Sequence, residues 1–372
     1  MENNRVLIDH VSVSVYKIPT QTPEADGTLD WDHTILVYVE INGGGKTGIG
    51  YSYASYATAI LIKEILSERI KGMNIFDIPS IGYHMIHAIR NQGRDGIASM
   101  AISAVDTALW DLKAKLLDIS LVKLLGNLKE KVAVYGSGGF TNYSDQQLEE
   151  QVKLWKSFGI NKIKIKIGRD PKGDETRILN LQKYYGERPE IFVDANGAYQ
   201  KKEALYYGKR FAELGVVWFE EPVSSDDIES LKFLSENVPP PVNIAAGEYG
   251  YNLFYFNRML KEKAVDILQI DATRCGGFSE MIKAINLGET YSIPVSTHCA
   301  PCLHLHVACA TNVIHMEYFY DHYRIETKLF DGAITPVNGY LKPDCSRPGI
   351  GLELKKKDAE KFFVQIIQID GI

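Results

Sequence analysis

The hydrophobic pattern at the start of the chain is that of β-strands. Short runs rich in β-branched residues recur there, and the sequence NGGG at residues 42–45 is typical of a turn before a further strand at 47–51. Residues 20–33 (TQTPEADGTLDWDH) are rich in turn formers and show no hydrophobic period, which predicts a mobile surface loop. The strands predicted around this loop are Val6–Ile8, Val11–Val15 and Ile35–Ile41.

A helical period replaces the strand pattern from about residue 57 to 125. The segment Met100–Lys113 (MAISAVDTALWDLK) is rich in good helix formers and predicts a strong amphipathic helix. Strands followed by helices predict an α+β domain, which we place at residues 1–128 with the loop at 20–33 as a lid.

Short apolar runs alternate with helical stretches from about residue 132. The repeat of roughly 20–30 residues predicts βα units and a parallel sheet, and eight such units suit a (β/α) barrel of roughly 250 residues. We place this barrel at residues 129–330, and we expect the loop-rich segment 331–372 to pack back on the first domain. The predicted barrel strands are Val132–Tyr135, Lys162–Ile167, Ile191–Val193, Val216–Phe219, Val242–Ala245, Ile267–Ile270, Pro294–Ser296 and Val313–Met316.

Composition limits the classes of function. The chain of 372 residues is long enough for a large enzyme fold with an accessory domain, and its 45% hydrophobic and 24% charged residues are typical of globular proteins. The net charge of −6 contains no long block of one sign, so we expect no nucleic-acid partner. We also expect no membrane partner and a cytoplasmic location, because there is no apolar run of roughly 18–20 residues and no signal-peptide pattern. The five cysteines predict no disulfide framework.

Every predicted barrel strand from the second onward ends at or near a charged or titratable residue. Barrel active sites form at the carboxyl ends of the strands, so these side chains are expected to converge. One polar residue at a strand end is ordinary, but burying the whole set unpaired would be costly. The set therefore predicts an active site made of Lys164, Lys166, Asp194, Glu220, Glu248, Asp271, His298 and Glu317.

Three carboxylates in this set predict a metal site. Asp194, Glu220 and Glu248 end three consecutive strands, so their oxygens can meet over one side of the barrel mouth. Hard oxygen ligands without Cys or His favour Mg²⁺, and Mn²⁺ could replace it. Glu221 is expected to face the opposite side of its strand and is the less favoured ligand.

Two kinds of base are predicted beside the metal. Lys164 and Lys166 share one face of their strand, and crowding by a second cation and a metal would lower the pKa of Lys166, which makes it a plausible base. Asp271 and His298 end the next two strands, and the aspartate can fix the tautomer of the imidazole and raise its basicity. A metal between a lysine and a His–Asp pair suits removal of a proton alpha to a carboxylate, with the metal holding the dianionic intermediate.

Taken together, these motifs resemble the enolase superfamily, and within it the mandelate racemase/muconate lactonizing enzyme family and its mandelate racemase-like subgroup. The similarity extends over nearly the whole chain. It is carried by the helix AISAVDTALWDLKAK, KIKIG from Lys164, VDANGAY at Asp194, WFEEP at Glu220, AAGE at Glu248, DATRCGG at Asp271, STH at His298 and MEY at Glu317.

The resemblance implies a fold and a division of roles. The fold would be an α/β one, a modified (β/α)₇β TIM-like barrel with an α+β capping domain formed by the N-terminal region and the C-terminal tail. One Mg²⁺ would lie on the three carboxylates. Lys166 and the His298–Asp271 pair would act as general acids and bases, and Lys164 would give electrophilic help. We also expect a homo-oligomer.

Substrate contacts are predicted at three further residues. The resemblance implies that Glu317 hydrogen-bonds an oxygen of a substrate carboxylate, and Asn196 in VDANGAY is a second candidate. His33 is the third, because its loop is expected to overhang the site. That loop carries four acidic residues, with Trp31 as its only large aromatic, which suits a small polyhydroxylated acid better than an aryl one such as mandelate.

Two reactions are compatible with this site. The favoured one is Mg²⁺-dependent dehydration of an acid sugar (an aldonate or aldarate) to a 2-keto-3-deoxy acid through an enediolate, with His298 supplying the acid for the leaving hydroxyl. The alternative is a racemase or epimerase that uses Lys166 and His298 on opposite faces of a 2-hydroxy acid. A non-catalytic binding protein is disfavoured because every acid/base group is present.

Two other motifs do not predict sites. GGGKTG at residues 43–48 lacks the first glycine of a phosphate loop, whose position is occupied by Glu40, and is explained by a hairpin turn. HCAPCLHLH at residues 298–306 suggests zinc or redox chemistry. However, it has no second cysteine pair at zinc-finger spacing and no thioredoxin-like surroundings.

Overall fold

The computed structural model describes residues 5–365, and elements below refer to that range. The strands are β1 (His10–Ala25), β2 (Asp30–Gly43), β3 (Lys46–Tyr53), β4 (Val132–Gly138), β5 (Lys162–Lys166), β6 (Glu190–Asp194), β7 (Val216–Glu220), β8 (Asn243–Ala246), β9 (Ile267–Ile270), β10 (Val295–Thr297), β11 (Val313–Phe319), β12 (Phe330–Asp331), β13 (Tyr340–Leu341), β14 (Glu353–Leu354) and β15 (Phe363–Val364). The α-helices are α1 (Tyr56–Leu61), α2 (Ser67–Ile70), α3 (Ile78–Ala88), α4 (Ile97–Leu116), α5 (Leu121–Leu125), α6 (Asp145–Ser157), α7 (Pro171–Tyr185), α8 (Lys201–Glu213), α9 (Ile228–Asn237), α10 (Leu253–Lys261), α11 (Gly277–Thr290), α12 (Pro301–Ala310), α13 (Tyr320–Leu329) and α14 (Lys356–Ala359). A π-helical turn (Ile62–Leu66) joins α1 to α2, and a 3₁₀ turn (Glu360–Phe362) follows α14.

The predicted barrel is confirmed. Strands β4 to β11 pair in parallel in chain order, and β11 pairs with β4 to close the ring, with Glu317 opposite Tyr135. Inside the ring an apolar layer fills the barrel below its carboxyl end, as is usual for this fold. That layer consists of Tyr135, Phe192, Trp218, Ala245 and Ile267.

A separate antiparallel sheet has the strand order β15-β1-β2-β3. Its strands β1 to β3 precede the barrel strands in the chain, and β15 follows them. The tail returns to the first part of the chain, since Val364 of β15 pairs with Val15 of β1. Residues 366–372 of the tail lie outside the described part, and the boundaries at 128 and 330 stay predictions. The predicted strand Val6–Ile8 is wrong, because only an isolated bridge between Leu7 and Asn74 forms there.

Helix α4 confirms the helix predicted at Met100–Lys113, but it is not amphipathic. It lies between β3 and the barrel helix α11, and its backbone touches β3 so closely that a Cβ at Gly50 would meet the Ala104 carbonyl oxygen at 2.2 Å. Most of its polar residues are buried, Ser99, Ser103, Asp106, Thr107 and Asp111 among them. Ser103 Oγ accepts hydrogen bonds from the N–H groups of Gly276 and Gly277, which ties α4 to the loop after β9.

The predicted loop at residues 20–33 is instead the end of a long β-hairpin. β1 continues to Ala25 and β2 begins at Asp30, with Glu24 opposite Trp31 beyond a register shift after Pro19. The turn between them is fixed by Asp26, whose Oδ1 accepts from the N–H groups of Thr28 (2.6 Å) and Leu29 (2.7 Å). Polar turn formers hid this pairing, because residues 20–33 lack the alternation of apolar and polar residues that predicts a strand. We call residues 20–33 the lid hairpin.

Within residues 5–365, no helix is both long and apolar enough to cross a bilayer.

Candidate active site

The carboxylates predicted to bind metal come together at the carboxyl end of the barrel. Asp194 and Glu220 are the last residues of β6 and β7, and Glu248 follows β8 by two residues. One oxygen from each lies within 4.8 Å of the others, and all three side chains are buried. Parallel strands of similar length deliver their last residues to the same layer, which is why residues so distant in sequence meet.

The two lysines of β5 adjoin this cluster. The Nζ atom of Lys166 lies 2.5 Å from Oδ2 of Asp194. The Nζ atom of Lys164 lies 2.6 Å from Oε1 of Glu220 and 2.7 Å from Oε1 of Glu317. Lys162, on the same face but deeper, pairs with Glu190 at the other end of the strand, as expected of a structural residue.

The pKa of Lys166 is raised, not lowered as the sequence predicts. Burial is the largest single effect and pushes it down, but the carboxylates of Asp194, Glu248 and Glu220 together outweigh burial and the charge of Lys164. The lowered pKa was predicted for a lysine beside a metal. A divalent cation on Asp194 would neutralise the charge that now favours the ammonium form.

His298 and Asp271 form the predicted pair. The Nδ1 atom of His298 lies 2.8 Å from Oδ2 of Asp271, so the other ring nitrogen, Nε2, faces the barrel mouth. Burial opposes ionisation of Asp271, but its contacts with His298 and His304 hold its pKa well below the usual range. Its second oxygen accepts the Thr273 N–H at 2.7 Å. The carboxylate is therefore charged and fixed in position.

The carboxylate cluster fits a divalent cation. Burial, together with the charge of Asp194, raises the pKa of Glu220 well above its ordinary value, because the anions crowd one another. The Oε2 atom of Glu248 is buried and has no hydrogen-bond partner among residues 5–365. Unpaired buried anionic oxygens are costly, and a cation among them removes the cost. An all-oxygen set of this kind is what Mg²⁺ prefers.

The residues predicted to contact substrate lie at the same mouth. Glu317 is buried, and its Oε2 accepts the N–H of Cys299 at 2.6 Å. Asn196 has a left-handed backbone (φ +46°) and donates its N–H to Oδ1 of Asp194 at 2.9 Å. His33 projects from the lid hairpin and contacts Asp32.

A cavity of about 410 Å³ opens above the metal cluster. Its walls include Trp31 and His33 of the lid hairpin, Tyr53 of the antiparallel sheet, and Lys166 and His298 of the barrel. The lid hairpin reaches the barrel directly, since a Cβ at Gly27 would lie 2.2 Å from the Ala195 carbonyl oxygen. All residues predicted from the sequence are thus either in this cavity or immediately beneath it.

Arg274 and Tyr249 also line the cavity, and the sequence did not single them out. Arg274 Nη1 lies 3.1 Å from Oε1 of Glu248, and its guanidinium stacks on the Tyr249 ring at 5.0 Å. Each follows a predicted residue closely, Tyr249 after Glu248 and Arg274 within DATRCGG. Examining the loop after each strand, as well as the strand end itself, would have found them.

Glu221 lies outside the metal cluster, as predicted, but strand alternation is not the reason. β7 ends at Glu220 and Glu221 is left-handed (φ +38°), so alternation does not extend to it. Its carboxyl is buried, and burial, together with the charges of Glu248 and Asp194, raises its pKa well above the usual value. Among the described residues, Glu221 is not part of the metal-binding group and lines a neighbouring cavity, so it remains the less favoured ligand.

Most of the HCAPCLHLH run is structural. His304 contacts the Cys299 carbonyl through Nδ1 and accepts the Ala272 N–H through Nε2. His306 bridges Val122 and Ile350, and burial lowers its pKa to about 4. Cys299 differs, since it lines the cavity; burial and the Glu317 charge raise the pKa of its thiol, which is therefore neutral.

Family models match both parts of the chain. The model described as the mandelate racemase/muconate lactonizing enzyme N-terminal domain matches residues 10–126, and the one described as enolase C-terminal domain-like matches residues 147–359. The chain therefore belongs to the mandelate racemase/muconate lactonizing enzyme family of the enolase superfamily, as its motifs predicted.

Individual relatives agree with this assignment. An arabinonate dehydratase of Saccharolobus solfataricus is 34% identical over 88% of this chain and 90% of its own. A crystal structure of a mandelate racemase/muconate lactonizing enzyme-like protein from Rubrobacter xylanophilus is 44% identical, with a TM-score of 0.94 over 96% of this chain and 99% of that one. A Streptomyces coelicolor racemase crystallised with bound magnesium is 27% identical, with a TM-score of 0.91 over 96% of this chain and 100% of that one.

Proposed function

We propose that this protein is a Mg²⁺-dependent acid-sugar dehydratase that removes the proton alpha to a carboxylate. The observation that carries the proposal is the order of groups around the barrel ring. Lys166 ends β5, the metal carboxylates follow at or just beyond the ends of β6 to β8, and the Asp271–His298 pair comes after β9 and β10. A substrate held over the carboxylates would have a base on either side.

Each group has a role that follows from its contacts. Asp194, Glu220 and Glu248 would hold Mg²⁺, which stabilises negative charge developing on the substrate carboxylate. Lys164, in contact with Glu317, would place positive charge against that same carboxylate. Glu317, held by the Cys299 N–H, would share a proton with one substrate oxygen.

The dehydration needs one proton removed and one donated. Lys166 or His298 takes the alpha proton, according to the configuration of the substrate. The bond from the beta carbon to its hydroxyl then breaks, and His298, held in place by Asp271, supplies the proton that makes the leaving group water. Where His298 was the base, this is the proton that it took from the alpha carbon; where Lys166 was the base, His298 must start the step protonated. The enol left behind tautomerises to a 2-keto-3-deoxy acid.

A racemase or epimerase is the second candidate. It would use the same two bases, one to remove the alpha proton and the other to return it on the opposite face. Similarity to the Streptomyces racemase supports this candidate, at 27% identity. We favour dehydration because the arabinonate dehydratase is more similar, at 34%, and because the lid hairpin is polar.

The charges at the lid end favour an aldonate over an aldarate. Among the described residues, the cavity lining contains one lysine, Lys166, and one arginine, Arg274. Both contact metal-site acids at the floor of the cavity. Asp26 and Asp321 lie at its upper wall. The nearby Arg169 is engaged by Asp30 and by lid-turn carbonyl groups. The second carboxylate of an aldarate would meet acids there, whereas a terminal hydroxyl would be accepted.

A paired library tests both levels of this proposal. Each aldonate is assayed beside the aldarate of the same configuration, with Mg²⁺ and with a chelator, for 2-keto product. We expect Mg²⁺-dependent product from an aldonate, with kcat/KM at least about 10-fold above that of its matched aldarate. Product from an aldarate at equal efficiency would refute the choice of aldonate alone, whereas no product from any member would refute the dehydratase.

A further inference from the structure

A second group of metal-binding atoms lies beside the carboxylate cluster. His298, Cys299 and Glu317 each offer one ligand atom, and these atoms lie within 4.8 Å of one another. The Cys299 Sγ is 3.2 Å from Nε2 of His298, and Oε2 of Glu317 is 4.0 Å from the same nitrogen. All three residues are buried, yet His298 and Cys299 also line the cavity, so an ion can reach them.

The backbone holds these atoms in place. Cys299 and the following Ala300 both have left-handed conformations (φ +52° and +37°), which residues with side chains seldom adopt. This turn brings the thiol of Cys299 back over the ring of the residue before it. Because Asp271 occupies Nδ1 of His298, the free Nε2 lone pair faces the thiol and the cavity.

The chemistry of this group differs from that of the Mg²⁺ cluster. Nitrogen, sulfur and oxygen donors together select borderline or soft ions, whereas three carboxylates select hard ones. Zinc bonds of about 2.0–2.3 Å place tetrahedral ligand atoms about 3.3–3.8 Å apart. The observed separations of 3.2 and 4.0 Å need only small side-chain shifts to reach that geometry.

We propose that His298 Nε2, Cys299 Sγ and the Glu317 carboxylate form a second metal site that takes Zn²⁺ or Cd²⁺. On binding, the thiol releases its proton to solvent and the thiolate bonds the ion, with water as a fourth ligand. The ion occupies the position of the substrate's alpha carbon and carboxylate. Soft ions would therefore inhibit the enzyme competitively with substrate while Mg²⁺ stays bound. Metal binding at this second site does not depend on the proposed function; only the predicted inhibition does.

A cadmium titration of the Mg²⁺-saturated protein tests the site without any activity assay. Cadmium–thiolate bonds absorb in the ultraviolet by charge transfer, and we expect one such site per chain. Cys299→Ser should lose the band and weaken cadmium binding at least about 10-fold, whereas Cys302→Ser, three residues on in α12, should keep both. Circular dichroism of each variant checks that it is folded. If Cys302→Ser does not fold, Cys345→Ser, at a more accessible thiol, replaces it as the control.

Two results would overturn the proposal. One is the absence of a charge-transfer band in the Mg²⁺-saturated wild-type protein. The other is an unchanged band and affinity in folded Cys299→Ser, which would place the ion on another thiol. If cadmium binds as expected but no acid sugar is dehydrated, the second site stands and the proposed function alone fails.

Discussion

The Oδ2 atom of Asp271 lies 2.8 Å from Nδ1 of His298, and this contact gives the imidazole one orientation. The aspartate is fixed in turn by the Thr273 N–H, while Nε2 of His298 lies 3.4 Å from Oε2 of Glu248 in the metal cluster. The base is thus held against the position where Mg²⁺ would polarise the substrate. Its effectiveness should depend on Asp271, although that residue lies beneath the substrate.

Asp271→Asn should preserve the shape of this contact and remove its charge. Without the carboxylate the imidazolium form loses its stabilisation, so we expect kcat/KM to fall about 10²- to 10⁴-fold. The pH–rate profile should shift as well, because a weaker base titrates at lower pH. A profile and rate equal to those of the wild type would show that Asp271 is only structural.

Glu248→Gln tests the metal cluster. It removes one anionic ligand and leaves a neutral amide of the same size, so Mg²⁺ affinity should fall at least about 10-fold. Calorimetric titration with Mg²⁺ measures the change directly. Asp226→Asn, at an exposed carboxylate lining a neighbouring cavity, is the control and should bind Mg²⁺ normally. Equal affinity in the two variants would remove Glu248 from the ligand set.

Gly27→Ala should lift the lid hairpin from the barrel. The added Cβ would lie 2.2 Å from the Ala195 carbonyl oxygen and 2.8 Å from that of Ile167, so the turn must move. We expect faster hydrogen exchange over residues 20–33 and kcat/KM lower by about 10-fold. Gly82→Ala, where a Cβ meets nothing within 4 Å, should change neither quantity. An unaltered hydrogen-exchange rate over residues 20–33 in Gly27→Ala would mean that the lid turn does not pack against the barrel.

His306 should contribute an acid-sensitive part of the stability. Burial lowers its pKa to about 4, so between pH 6.5 and 4 the unfolded chain binds the proton and the folded one does not. The free energy of unfolding then falls as pH falls through this window, by up to about 3 kcal/mol from this residue. The pH dependence of the free energy of unfolding, measured with denaturant, should be shallower in His306→Gln than in the wild type. His87→Gln, at an exposed histidine, should leave it unchanged, and equal slopes in all three proteins would contradict the assignment.

The sequence predicted the barrel and most of the site because both follow from short-range patterns. Asp194 and Glu220 end short continuous apolar runs, which are typical of buried parallel strands, and parallel pairing brings such ends together. The lid hairpin was missed because its pairing of Glu24 with Trp31 depends on a turn made by Asp26, which resembles any polar loop in composition.

Other site features depend on contacts that no local pattern records. The raised pKa of Lys166 comes from three carboxylates outside its own strand, Asp194 with Glu248 and Glu220. The position of Glu221 depends on a left-handed backbone just past the end of its strand, which alternation does not foresee. Cys299 was dismissed with the rest of its run, since its spacing to Cys302 is uninformative and its partner Glu317 comes from another strand.

The central claim is that two bases on opposite sides of a metal-held carboxylate remove the alpha proton, and deuterium exchange tests it most directly. Acid sugars of both alpha configurations are incubated in D₂O with Mg²⁺ and followed by NMR. We predict that His298→Asn loses exchange on one configuration and keeps it on the other, and that Lys166→Ala shows the reverse. Loss of exchange on both configurations in both variants, with Mg²⁺ and substrate still bound, would contradict the two-base account.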